Sequence, residues 1–155
     1  MYTEDDLKSV KRQIRSLLIK IAILFAIFLT ISLLLANNLS NPIGLIILVV
    51  GLCICEFIWG IYGKPVATYK KFLQEILTGR KRQQRNYVID VGSEPVYKDN
   101  ELFYYEILVK EDREDEMEQM LLQDTNKTFP SIEKGSWYEF TLYQNYIVDL
   151  EEIYT

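Results

Sequence analysis

Polar and apolar positions along this 155-residue chain fall into three blocks, each with its own period. Residues 17–36 form a twenty-residue apolar run whose only charge is Lys20, and residues 43–62 form a second whose only charge is Glu56. At ~1.5 Å per residue, each run spans the ~30 Å hydrocarbon core of a bilayer. Backbone groups in lipid must satisfy one another, so both runs are expected as helices. The connector Asn37-Asn38-Leu39-Ser40-Asn41-Pro42 is short and uncharged, with Pro42 placed to open the second helix. A link of this length predicts an antiparallel transmembrane hairpin over 17–62. Upstream, Thr3 and Asp6 make a capping-box-like start, so residues 1–16 read as a helical extension of the first span.

In the second block, residues 64–85, the period stays near 3.6. Val66, Tyr69, Phe72, Leu73, Ile76 and Leu77 share one face, with Lys70, Lys71, Gln74 and Glu75 opposite, between Pro65 and Gly79. The third block, 86–155, has period two: Tyr87, Ile89, Val91; Phe103, Tyr105, Ile107, Val109; Tyr138, Phe140, Leu142; and Tyr146, Val148, Leu150. Gly92, Asp99-Asn100 and Gln144-Asn145 are turn signals. A fifth strand is expected over 118–124, with a short helix through 114–122 as the alternative. Residues 130–135 read as a loop. The fold class that follows is an α+β membrane protein: a two-helix hairpin, an interfacial amphipathic helix, and a small antiparallel β domain.

Charge sharpens the division. Residues 64–85 hold seven Lys/Arg against one acid, a net of +6, and residues 86–155 hold five against seventeen acids, a net of −12. Residues 1–20 contribute +2 and Glu56 −1, which together give the overall −5. Lys and Arg flank the hairpin at both ends and are missing from its connector, so both termini are expected in the cytoplasm. The first run is too long for a signal-peptide core, and Leu34 stands where cleavage after Ala36 needs a small residue. The basic collar, with Lys70, Lys71, Arg80, Lys81, Arg82 and Arg85, suits an anionic lipid surface. Nucleic acid is excluded as the main ligand because the adjoining domain has the wrong sign.

Candidate chemistry is sparse. The absence of histidine removes histidine acid–base catalysis and most zinc sites. Cys53 and Cys55, at i,i+2, point to different helix faces and read as small apolar residues. The run Glu111-Asp112-Arg113-Glu114-Asp115-Glu116 lacks the spacing of a calcium loop. No metal, cofactor or catalytic set is expected. Within the spans, Ala22, Ala26 and Thr30 form one small-residue stripe, and Gly44, Gly51 and Cys55 another, which predicts close helix packing, with a homo-oligomer as the other use. Glu56 and Lys20 lie at comparable depth: they pair, or Glu56 meets a partner's helix, or it turns toward water.

Five strands ending in a hairpin, with a loop closing on Lys134-Gly135-Ser136, resemble a small OB-like barrel. The layout is similar to bacterial membrane proteins that carry such a domain after their transmembrane helices. Fold likeness does not carry function. The function expected is a non-enzymatic membrane-anchored interaction module, or accessory subunit of a membrane complex. It would present its acidic domain, with Tyr104, Trp137 and Tyr143 as the partner face (Tyr97 and Tyr154 are further aromatics), to a cytoplasmic protein. The alternatives are a membrane enzyme or transport component using Glu56, and a −12 domain docked reversibly on its own +6 collar.

Overall fold

A computed structural model describes residues 2–99, 101–111 and 117–153. The protein is α+β, with two long apolar helices and a six-stranded mixed sheet. Two compact units divide it: Asp5–Lys71, and Phe72–Thr155 together with Met1–Glu4. Asn100, five residues of the acidic run (112–116) and Tyr154 lie outside the described residues.

The first unit is a helical hairpin. Helix α1 runs Glu4–Asn38, starting directly after Thr3, and α2 runs Asn41–Ile58 with Pro42 in its first turn. The predicted stripe on α2 is the buried one. Gly44, Gly51 and Cys55 all face α1. A side chain at Gly51 would come within 2.6 Å of Phe28, so the glycine makes room for the ring. The Ser32 hydroxyl donates to the Gly44 carbonyl at 2.6 Å, and Cys55 Sγ lies 4.0 Å from the Ile21 carbonyl oxygen. The stripe expected on α1 is corrected: Ala22, Ala26 and Thr30 are exposed, and Ile21, Phe28, Ser32 and Ala36 meet α2 instead. Phe28 over Gly51 explains the change, since a large residue against a small one fills space that two small residues leave empty.

The helical backbone does not stop where the second apolar run ends. A π-helical turn, Trp59–Gly63, joins α2 to α3, Lys64–Thr78. Lys64 N–H bonds the Trp59 carbonyl, an i to i−5 step. Pro65 lacks an N–H and crowds the carbonyl four residues back; the wider turn just ahead of it absorbs that conflict. The expected separate helix is therefore a continuation, helical from Asn41 to Thr78.

In the second unit the end of α3 packs into the β domain. Phe72, Leu73 and Ile76 are 5%, 0% and 0% exposed. The Phe72, Leu73 and Ile76 part of the face expected to meet lipid is thus corrected to a protein-covered one within the β unit, while Val66, Tyr69 and Leu77 are half-buried. Phe72 meets Tyr104 at 5.8 Å, Tyr146 at 5.1 Å and Tyr2 at 6.3 Å, all edge-on. Tyr2 also donates its hydroxyl to Asp124 at 3.1 Å and packs on Phe129.

The sheet has six strands: β1 Arg82–Val91, β2 Val96–Tyr97, β3 Phe103–Glu111, β4 Gln119–Asp124, β5 Trp137–Tyr143 and β6 Tyr146–Glu152. Their order is β1-β5-β6-β4-β3-β2, and β1 also pairs with β3. Gln119–Asp124 is thus a strand, within the 118–124 stretch expected as one, and the first strand starts at Arg82, ahead of Asn86. The purely antiparallel expectation is corrected by β4 and β6, which run parallel at Leu122 and Tyr146. Val88, Ile107, Val109, Leu121, Tyr138, Phe140, Leu142, Ile147 and Leu150 form the core.

Two register shifts explain why some inward faces differ from the expected ones. On β1 the ladder slips between Val88 and Asp90, so Asn86 and Val88 point inward, Tyr87 points out, and Val91 returns to the core. On β5–β6 the partners of Thr141 and Leu142 are Asp149 and Ile147, which leaves Val148 extra. An inserted residue flips every side chain beyond it.

Candidate functional site

The basic residues of the collar sit on three different elements. Lys70 and Lys71 are on α3, Arg80 and Lys81 follow its end, and Arg82 and Arg85 belong to β1. Helix α3 ends at Thr78, and Gly79 beyond it fits flush on Tyr143; a side chain there would run into the ring. Arg82 then pairs across the ladder with Leu142, and its guanidinium reaches the Gln144 carbonyl at 3.5 Å. Strand pairing makes Arg82 and Arg85 part of the domain itself. A collar that releases the domain reversibly is therefore ruled out for these two residues, since release would tear β1 from β5.

The turn opposite is equally fixed. Gln144 adopts a left-handed φ of 53° in the two-residue link between β5 and β6. The Asn145 carbonyl accepts Leu122 N–H at 2.8 Å, and its side-chain oxygen accepts Gln119 Nε2 at 3.3 Å. Gln119 Oε1 in turn accepts Gln84 Nε2 at 3.1 Å. A hollow opens between this turn and Arg80, Lys81 and Arg82.

The expected aromatic face is rearranged. Tyr104 is fully buried between Phe72 and Tyr146, so it is not a surface residue. Tyr143 is half-buried under Gly79, and Trp137 is half-buried with its ring 5.5 Å from Tyr87. The exposed ring pair is Tyr97 with Phe103, at 5.1 Å on the β2 edge of the sheet. Alternation places Phe103 on a strand face, and the adjacent aromatics Phe103-Tyr104-Tyr105 signal that both faces of β3 carry rings.

Glu56 and Lys20 are not brought together. Both are exposed, and no ion pair joins them among the described residues. Cys55 and Ile21, their neighbours in sequence, mark the line where the helices meet. One step onward on α2 and one step back on α1 rotate in the same sense viewed from one end, which sends the two side chains to opposite sides of the hairpin.

Asn86 and the half-buried Tyr146 are two polar groups that alternation alone does not single out. Asn86 is fully buried on the inward face of β1 with neither amide atom hydrogen-bonded. Tyr146 has its pKa raised above the usual tyrosine value by burial, aided by Glu75 and Tyr143, and opposed by a hydrogen bond with Tyr104 and by Lys98. Scans against protein-family models, curated proteins and solved structures find no match to the chain.

Proposed function

We propose that the chain is a membrane-anchored, non-enzymatic interaction module that holds a small OB-like domain beside the bilayer for a protein partner, as an accessory subunit of a membrane complex. The observation that carries this reading is the outer surface of the hairpin. Leu33, Leu34, Leu45, Ile46 and Phe57 are each more than half exposed, on helices long and apolar enough to cross a membrane. A contiguous apolar surface of that kind is not stable in water.

Orientation is supported by the way the chain leaves the β unit and returns. It departs at Glu4 and re-enters at Phe72, and Tyr2 and Phe72 are in ring contact. Both chain junctions with the β unit therefore fall within that one unit, and the Lys/Arg distribution at the two ends of the hairpin supports a cytoplasmic location for them. The strand circuit β1-β3-β4-β6-β5-β1, in which every strand has two partners, supports the barrel. Tyr97 and Phe103 are the partner anchor, since exposed paired rings supply much contact area at low entropic cost. Glu56, exposed and turned away from α1, fits a contact with a partner's helix better than an enclosed reaction chamber.

Alkaline carbonate extraction should leave the chain in the membrane pellet, and release into the supernatant would overturn the anchor. A reporter active only outside the cytoplasm, fused after Thr155, should stay dark. Crosslinking in native membranes should capture one protein species whose yield falls on Tyr97→Ala/Phe103→Ala. An unchanged yield would reject the ring pair as the partner face.

A further inference from the structure

The geometry points to a binding site for a phosphate group in the hollow between Arg80-Lys81-Arg82 and the Gln144-Asn145 turn, independent of whether the helices enter a bilayer. Three lines of observation converge on it.

The first is charge that has no partner. Three other cations of the β domain sit beside its acids: Arg85 lies 4.0 Å from Glu139, Lys98 pairs with Glu106, and Lys134 lies 3.7 Å from Asp90. Arg80, Lys81 and Arg82 make no ion pair among the described residues, although the adjoining 86–155 segment carries a net charge of −12. No carboxylate among the described residues lines the hollow.

The second is rigidity. Gly79 seated on Tyr143 sets where the chain leaves α3, and the Arg82–Leu142 pairing sets where it enters the sheet. The opposite wall is a two-residue turn pinned to β4 through Asn145. The cations are therefore presented on short, anchored backbone and not on a free tail.

The third is the donor set. The side-chain oxygen of Asn145 is occupied by Gln119, which leaves its amide nitrogen to donate outward. Two guanidinium groups, one ammonium and a carboxamide N–H match the acceptor oxygens of a phosphate dianion, for which planar guanidinium forks are well suited. The hollow measures about 480 Å³, within the ~300–1,000 Å³ span of small-molecule sites, so the phosphate can carry a substituent. The occupant is a phosphate monoester or pyrophosphate group, carried by a soluble metabolite or by a lipid headgroup.

The test uses the full chain in neutral detergent, titrated calorimetrically with inorganic pyrophosphate. One site per chain is expected. Arg80→Gln, which lies outside the sheet and breaks no ladder hydrogen bond, and Arg82→Gln should each weaken binding about tenfold. Arg85→Gln removes the same charge outside the hollow and should leave affinity unchanged. No pyrophosphate binding, or an equal loss in Arg85→Gln, would overturn the site, the latter by showing diffuse attraction only. Repeating the titration in phosphatidylcholine nanodiscs with and without phosphatidate separates the sources. Weaker pyrophosphate binding with phosphatidate present supports a headgroup in the hollow, and unchanged binding supports a soluble ligand.

Discussion

Replacing Phe72 with alanine tests whether α3 belongs to the β domain or to a lipid surface. The ring is 5% exposed and makes three edge-on aromatic contacts with centroids 5.1, 5.8 and 6.3 Å away. Burying a phenylalanine contributes roughly 1.5–3 kcal/mol, and each well-placed ring pair adds about 0.5–1.5 kcal/mol. The sum is in line with the ~3–5 kcal/mol typical of Phe→Ala in a packed core. For a domain of this size that lowers the melting midpoint by about 15–30 °C. The assay is urea unfolding of the full chain in detergent in a Trp59→Phe background, followed by fluorescence of Trp137, which then reports the β unit and not the helices. Phe72→Leu should recover most of the loss. A change below about 1 kcal/mol would refute the packing argument, because substitutions on a solvated face fall in that range. Reduced affinity for anionic vesicles with the domain's stability intact would instead restore the lipid-facing helix read from sequence.

Gly51→Val should force the hairpin apart at Phe28, at a cost of about 1–3 kcal/mol; a disulfide between Ile21→Cys and native Cys55, with Cys53 replaced by serine, should form less readily in that background. Asn86→Val should leave the β unit as stable or make it more so by about 1 kcal/mol, since it removes a buried carboxamide that bonds nothing; a clearly lower urea midpoint would expose a hidden partner. Burial raises the folded-state pKa of Tyr146 above its unfolded value near 10, so its contribution to stability is complete below pH 10 and is lost as pH climbs through the folded value. Wild type should therefore lose stability relative to Tyr146→Phe only in that alkaline window, and parallel curves would show that Tyr146 is not desolvated.

The helical half was largely legible because one property decides it. Twenty apolar residues, an uncharged link and Pro42 suffice to place α1 and α2. The small-residue stripe worked on α2, where Gly44 and Gly51 have no alternative use, and misled on α1, where Phe28 and Ser32 do the packing. In the sheet, alternation located β1, β3, β5 and β6, but it assumes an unbroken period. The extra residues at Ile89 and Val148 reverse the inward face along β1 and β6, and no residue type announces them. The short strand β2 was missed because two residues carry no period at all.

The misplaced helix has a more general cause. A basic amphipathic helix next to an apolar span has the same pattern whether its apolar face meets lipid or protein, so the helix alone cannot decide. The deciding information lies in the partner. Three aromatics in succession, Phe103-Tyr104-Tyr105, put rings on both faces of β3, and Tyr146-Ile147-Val148 puts apolar bulk on both faces of β6. A strand apolar on both faces needs a layer on each side. One side is the core around Ile107 and Ile147; the other, with Tyr104 and Tyr146, needs a cover, and the apolar face of α3 is the one amphipathic surface left in the sequence to supply it. Once Phe72 is spent on that cover, α3 ends on Tyr143 and the chain enters the sheet at Arg82. The three cations that looked like a lipid-facing tail become one wall of a hollow, and the buried face of the helix is what put them there.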